Sequence, residues 1–232
     1  MSSRNTWWAK TLRIIGIALM SLTAAFTILG GAGTTCVTLN PTGYGGKFAG
    51  IAPFQWLYAL FVILTVAIGV MGVRAVVLLI HGKKNAYRYS FIALAAGTVV
   101  GILHIAASRI LRGGSMPVDM VVYTTILTLV VFLLFRIPGI WQGVDFEKPG
   151  GEKKTGQQAA AIALGATGLL VLTVQFIMAP THTIAGVNYA DAWHLTLSVV
   201  GLALVVGSAR SFVREAALIR LRTVEPLSDP LG

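Results

Sequence analysis

The sequence predicts an all-α integral membrane protein that crosses the bilayer about six times. Of its 232 residues, 56% are hydrophobic and only 11% are charged, whereas a soluble domain carries about 25% charged residues. The apolar residues form continuous runs of roughly twenty, the length that a helix needs to span the hydrocarbon. Barrel strands would instead alternate apolar and polar residues over about ten positions. Helices are therefore the predicted spanning elements.

Six apolar runs define the predicted helices, at about 12–31, 54–80, 90–108, 120–137, 159–178 and 192–211. The second begins beside Pro53, which suits a first helical turn, and the fourth stops at the Arg136-Ile137-Pro138-Gly139 sequence. A Gly- and Thr-rich stretch, 34–52, is predicted as an external loop. The polar stretch 145–158 is predicted as a cytoplasmic linker and 212–232 as a cytoplasmic tail, so that residues 1–232 form one six-helix domain.

The basic residues predict the orientation of the chain. The loops on one side hold Lys47, Arg109 and Arg112, and the other side holds the remaining 18 − 3 = 15 Lys and Arg residues. Because cytoplasmic loops are enriched in Lys and Arg, both termini are predicted to be cytoplasmic. We expect a multi-pass protein of the plasma (inner) membrane in contact with the lipid bilayer. The net charge of +10 is explained by this distribution, and no nucleic-acid partner is expected.

Two predicted helices carry a histidine near the external end, with small residues on the same face. Gly97 and Gly101 lie on the face of the third helix that also carries His104, and Gly201 follows His194 on the sixth. Small residues of this kind let membrane helices approach closely. At 1.5 Å per residue, His104 lies about 7 Å inside the helix end at Arg109. The two imidazoles are therefore expected at similar depths below the external headgroups.

Two histidines at one depth suggest a redox cofactor. A haem b could take His104 and His194 as its iron ligands. Gly97, Gly101 and Gly201 would then leave room for the macrocycle, while Arg109 and Arg112 would meet its propionates. Alternatively, a quinone head group could accept a hydrogen bond from one histidine, with Asp119 or Asp191 handling protons. Both histidines could equally be structural, each bonded to a neighbouring carbonyl. A metal site made of His182, Asp191 and His194 is a further possibility of the sequence.

The composition narrows the function classes. The single cysteine, Cys36, excludes an intrachain disulfide and a Cys-rich metal centre. No acidic residue lies in the middle of a predicted helix, which disfavours an ion-coupled transporter. The loops are too short to hold a soluble active site, so the chain is not expected to be an enzyme on its own. We predict a subunit of a larger membrane complex, at most part of a membrane oxidoreductase. The alternatives are an accessory subunit that binds neighbouring helices or lipid and, third, a small transporter or channel.

Overall fold

The structure, a computed structural model, describes residues 6–147, 153–184 and 186–224. The elements in chain order are α1 (Trp7–Leu39), a first 3₁₀ helix (Ala49–Phe54), α2 (Gln55–Ile80), α3 (Ala86–Arg112), α4 (Val118–Leu134), α5 (Pro138–Val144), α6 (Lys153–His182), β1 (Thr183–Ile184), β2 (Val187–Asn188), a second 3₁₀ helix (Tyr189–Trp193) and α7 (His194–Val224). The two short strands form an antiparallel hairpin. The predicted all-α class is confirmed.

Five of these helices are long and apolar enough to cross a membrane. Within the described residues they are α1, α2 with the 3₁₀ helix before it, α3, α6 and α7. A sixth crossing is added if α4 and α5, which are bent by 99° at a short break, count as one span. The chain therefore has five or six potential spans, against about six predicted.

Helix α1 runs further than the sequence suggested, reaching Leu39. Its last turns contain threonines whose hydroxyls donate to carbonyls one turn back, at Gly30 from Thr34 and at Gly31 from Thr35. These bonds satisfy the side chains inside the helix, so the Gly-rich sequence does not end it. The predicted external loop 34–52 is shortened from both ends, because the first 3₁₀ helix begins at Ala49.

Helix α5 begins at the predicted stop of the fourth helix and ends just before the predicted linker, 145–158. Pro138 occupies its first turn, a position where the missing N–H costs nothing. The chain then turns under the bundle, and Val144 and Phe146 are buried in the core. Gly16 of α1 makes this possible, since a Cβ there would lie 2.8 Å from Phe135 and 3.0 Å from Phe146. The predicted linker 145–158 is shortened at its C-terminal end, where α6 begins at Lys153.

Helices α1 to α4 form a closed four-helix bundle. α1 packs along α2 and α4, while α3 packs along α2 and α4. Glycines set the close approaches: a Cβ on Gly72 would lie 2.9 Å from the Ala24 side chain, and one on Gly101 would lie 2.5 Å from Val122. Across the centre, the hydroxyls of Thr23 and Thr128 are 2.7 Å apart. The bundle is thus joined by small residues and by interhelical hydrogen bonds, as membrane helices commonly are.

Helices α6 and α7 form a hairpin on the outside of this bundle. α6 packs along α1, and α7 packs along α6. The hairpin helices touch at Gly168 and Gly201, since a Cβ on either would come within 3.0 Å of the other's carbonyl oxygen. Nearer the start of α6, the Ser208 hydroxyl donates to the Ala161 carbonyl over 2.7 Å. Gly201 is therefore a packing residue between α6 and α7.

Candidate functional site

The candidate site lies at the end of the bundle where α1 and α3 finish and α2 and α4 begin, called here the His104 end. His104 is only 4% exposed. Its ring stacks on Phe61, with centroids 4.5 Å apart and planes 16° apart. Tyr58 meets the same ring edge-on at 5.3 Å. Two aromatic residues of α2 thus fix the orientation of an imidazole carried by α3.

A polar group surrounds the outer edge of this aromatic cluster. The Tyr58 and Ser108 hydroxyls are 2.8 Å apart, and the Arg112 side chain interacts electrostatically with Tyr58. The Arg112 guanidinium lies 4.9 Å from the centre of the Phe48 ring and donates to the Met116 carbonyl over 2.7 Å. Arg112 therefore ties the loop after α1 and the loop after α3 to the first turns of α2.

Arg109 makes a separate network with the start of α4. Its Nε donates to the Ser115 hydroxyl over 3.0 Å, and that hydroxyl donates to both carboxylate oxygens of Asp119 at 2.9 and 2.8 Å. Arg109 Nη2 lies 3.5 Å from Asp119 Oδ1. The Asp119 carboxylate, considered from the sequence as a proton-handling group, is thus held by a serine and an arginine at the first turn of α4.

Below His104, residues of α1, α2, α3 and α4 line a partly open cavity of about 30 Å³, called here the His104 cavity. His104, Gly97 and Gly101 all line it, as the sequence predicted for one face of α3. The remaining lining residues come from all four helices of the bundle: Thr27, Gly30, Thr34, Thr65, Ile68, Val100, Val118, Val121, Val122 and Thr125. Four threonines and one imidazole give this interior space a polar wall.

His104 has no hydrogen-bond partner among the residues that the structure describes; its contacts there are aromatic and electrostatic. Thr65 likewise forms no hydrogen bond through its side chain within the described ranges. Buried polar groups are almost always satisfied by protein or by water. Both side chains line the same cavity, so the cavity is where their missing partner belongs.

His194 lies in a different environment. It begins α7, is exposed, and its Nδ1 is 2.7 Å from Oε1 of Gln175 on α6. α7 packs along α6, whereas α3 packs along α2 and α4. The structure therefore brings His104 together with Gly97 and Gly101, while His194 and Gly201 belong to the α6–α7 hairpin. A haem held by both histidines stays a prediction.

The third histidine of this end, His182, closes α6. Its Nδ1 is 3.1 Å from the Met178 carbonyl oxygen. Burial, together with the positive charge of Lys47, lowers the pKa of His182 below its ordinary value, although the bond to Met178 acts the other way. The structure forms no group of three metal-ligating side chains among the described residues, so the possible metal site of His182, Asp191 and His194 is not assembled there.

Sequence reasoning missed the α2 half of the site. Tyr58 and Phe61 are spaced three apart and so lie on one helix face, but only tertiary packing shows that this face meets His104. The sequence feature that could have indicated this contact was the similar distance of these residues from the ends of their helices. Both residues lie in the first two turns of α2, and His104 lies on α3 about two turns before that helix ends at Arg112.

No known protein-family model, curated protein or solved structure matches this chain. The chemistry of the His104 end is therefore the basis for assigning a function.

Proposed function

We propose that the protein is an integral membrane subunit of a larger membrane complex. It spans the plasma (inner) membrane six times, counting α4 with α5 as one crossing, and both termini face the cytoplasm. The five to six apolar helices support the crossings. The asymmetry of 15 to 3 in Lys and Arg supports the orientation. On this orientation the His104 end faces outward.

A partner is proposed because the chain carries little outside the membrane. Its helices expose many large apolar side chains, as lipid or other membrane helices require. The described connections at the His104 end consist of short 3₁₀ helices, a hairpin of two-residue strands and turns. Such connections position side chains but hold no separate catalytic domain.

Within that complex, the His104 end is proposed to serve as a hydrogen-bonding site for a small polar ligand of redox chemistry. The single observation that supports it is the buried, aromatically clamped His104 ring, whose nitrogens lack a partner in the described chain. Ionisable side chains inside a membrane are costly and are functional candidates for that reason. An imidazole held in this way can donate a hydrogen bond to a carbonyl oxygen such as that of a quinone.

Of the two cofactor proposals, the quinone is favoured over haem b. A quinone needs one histidine, and the site supplies one. The cavity of about 30 Å³ is far below the about 300–1,000 Å³ of pockets that enclose drug-sized ligands. A quinone ring would therefore lie outside the bundle, at a boundary with a partner subunit, and only its carbonyl oxygen would reach toward His104 through the open side of the cavity.

The decisive experiment is purification of the protein in mild detergent, followed by identification of the proteins, quinones and pigments that co-purify. Partner subunits and a bound quinone that is lost on His104→Gln are the expected result, with His194→Gln as the matched control. A reduced-minus-oxidised absorption spectrum tests haem separately. A monodisperse protein that carries neither partner nor quinone would refute the proposal.

The orientation has its own test on intact cells. In a Cys36→Ser background, Thr42→Cys lies in the loop after α1 and Lys84→Cys in the loop after α2. A membrane-impermeant maleimide should label the first and spare the second until the cells are opened. The reverse pattern would invert the proposed topology.

A second candidate is a purely structural subunit that binds neighbouring helices or lipid. It is favoured by Gly33 and Gly207, because a Cβ on either would meet nothing within 4 Å of described chain. These glycines leave open approaches on α1 and α7. This candidate predicts that His104→Ala and His194→Ala leave the assembly and activity of the complex intact. A small channel ranks third, and a flux assay in liposomes tests it.

A further inference from the structure

We propose that the His104 cavity is a hydration site, in which a cluster of one or two water molecules is hydrogen-bonded to His104 and to the threonines of the bundle. This inference concerns the same site as the proposed function but needs neither a quinone nor a partner subunit. Water is the ligand class that the size and the chemistry of the cavity select together.

The size comes first. One water requires a cavity of about 10–15 Å³ when volume is measured as the space open to a water-sized sphere. The His104 cavity, at about 30 Å³, holds one or two and nothing much larger. An apolar cavity of this size would stay dry, so the wall decides whether water enters.

The wall supplies the hydrogen bonds that a buried water needs. His104 and Thr65 have no partner of their own in the described chain. Thr27, Thr34 and Thr125 donate their hydroxyl hydrogens to carbonyls one turn back, over 2.7, 2.8 and 2.7 Å. Each of those oxygens keeps a lone pair for a water hydrogen. A buried water makes about three hydrogen bonds, and these five side chains offer enough.

The hydrated space ends blind inside the bundle. A separate cavity of about 10 Å³ lies next to it, since both are lined by Thr27, Ile68 and Thr125. That second cavity stops at Met20 and Leu94, both 1% exposed. Beyond these residues lie Phe132, Phe135 and Phe146, an aromatic floor that is stacked or tilted at centroid distances of 5.6–5.9 Å. We therefore expect water in the bundle to exchange through the His104 end and not through the opposite end, where α5 lies.

The test is water-edited solid-state NMR of the full-length protein in lipid bilayers. The chain has only four histidines, so the His104 ring signal can be assigned by its loss in His104→Asn. Magnetisation from mobile water should reach the His104 ring and the Thr125 methyl nearly as fast as exposed His81. Thr128, which is fully buried and bonded to Thr23 and to the Thr124 carbonyl, should lag by several-fold. Equal lag at His104, Thr125 and Thr128 would overturn the proposal.

A pair of glycine variants provides the matched control. A Cβ on Gly97 would project into the space between Thr125 and Ile68, 3.3 and 3.4 Å from their methyl carbons. Gly97→Ala should therefore narrow the cavity and slow transfer to His104, while Gly33→Ala, which meets nothing, should leave it unchanged. Unchanged transfer in Gly97→Ala would count against water in this cavity. If His104 receives no magnetisation from water but quinone is bound, the hydration proposal is wrong and the proposed function stands. If His104 is hydrated but the protein carries neither partner nor quinone, the proposed function is wrong and the hydration proposal stands.

Discussion

Tyr58 of α2 and Ser108 of α3 share a buried hydrogen bond of 2.8 Å between their hydroxyl oxygens. This bond joins the two helices one turn beyond the imidazole that Tyr58 also contacts edge-on. Tyr58, one of the two residues that hold the His104 ring, thus also fastens α2 to α3. Stability and site geometry are coupled at this position.

The first prediction concerns that bond. Tyr58→Phe and Ser108→Ala should each lower the free energy of unfolding by about 1 kcal/mol, the usual net value of one hydrogen bond. Because both substitutions remove the same interaction, the double variant should lose about 0.5–1.5 kcal/mol less than the sum. A double-mutant cycle from denaturant unfolding in detergent micelles measures this. Strict additivity would mean that the two hydroxyls are not coupled.

The second prediction concerns the approach of α3 and α4. Gly101→Ala places a Cβ 2.5 Å from Val122, which the packed helices cannot accommodate without moving apart. Overpacking of this kind costs about 1–3 kcal/mol, and the thermal-unfolding midpoint should fall accordingly. Gly207→Ala, where a Cβ meets nothing within 4 Å, is the control and should not lower the midpoint. Equal midpoints for the two variants would contradict the close helix contact.

The third prediction concerns the aromatic floor. Phe146 is 2% exposed and packs between Phe132 and Phe135. Phe146→Ala should destabilise the fold by about 3–5 kcal/mol, because the bundle cannot fully close over the lost ring. Ile137→Ala, at a position 49% exposed, should have a much smaller effect. Limited proteolysis of the two variants in micelles compares them, and similar cleavage rates would show that the Phe146 ring is not part of the core.

The fourth prediction is a pH dependence at His182. Burial and Lys47 lower the pKa of this histidine in the folded chain, so between the folded and the unfolded value the unfolded chain binds more protons. Stability from this residue is therefore complete above an ordinary histidine pKa of about 6.5 and declines as the pH falls below it.

The measurement compares thermal-unfolding midpoints at pH 7.5 and pH 5.5. His182→Gln should flatten the difference between the two midpoints, and His81→Gln, at an exposed position, should retain it. If His182→Gln keeps the full wild-type difference, another group governs the pH response.

Much of the fold could be predicted because membrane spans depend on local hydropathy. The second predicted helix, at about 54–80, corresponds to Gln55–Ile80. The ends were harder. Lys153 begins α6 although it is polar, because Thr155 and Ala159 are buried against the bundle. Helix α5 was missed since Pro138, taken as a stop, also suits the first turn of a new helix.

The site could be predicted only as far as one helix carries it. Helical periodicity places Gly97, Gly101 and His104 on one face, and the cavity contains all three. Periodicity cannot say which other helix that face meets. The similar depths of His104 and His194 suggested a pair, but the glycine contact of Gly168 with Gly201 places α7 against α6. The depth of a residue in the membrane can be estimated from its position in an apolar run. Which helices lie next to one another depends on tertiary packing, which the run does not show.

The cavity has a consequence for biosynthesis. Every residue that lines it lies between Thr27 and Thr125, and the helices that carry them close on one another without α6 or α7. Chains are made from the N-terminus, and units that can pack do so as they emerge. The His104 site can therefore form while the second half of the protein is still being translated. The α6–α7 hairpin can then pack along α1, on the outside of the completed four-helix bundle.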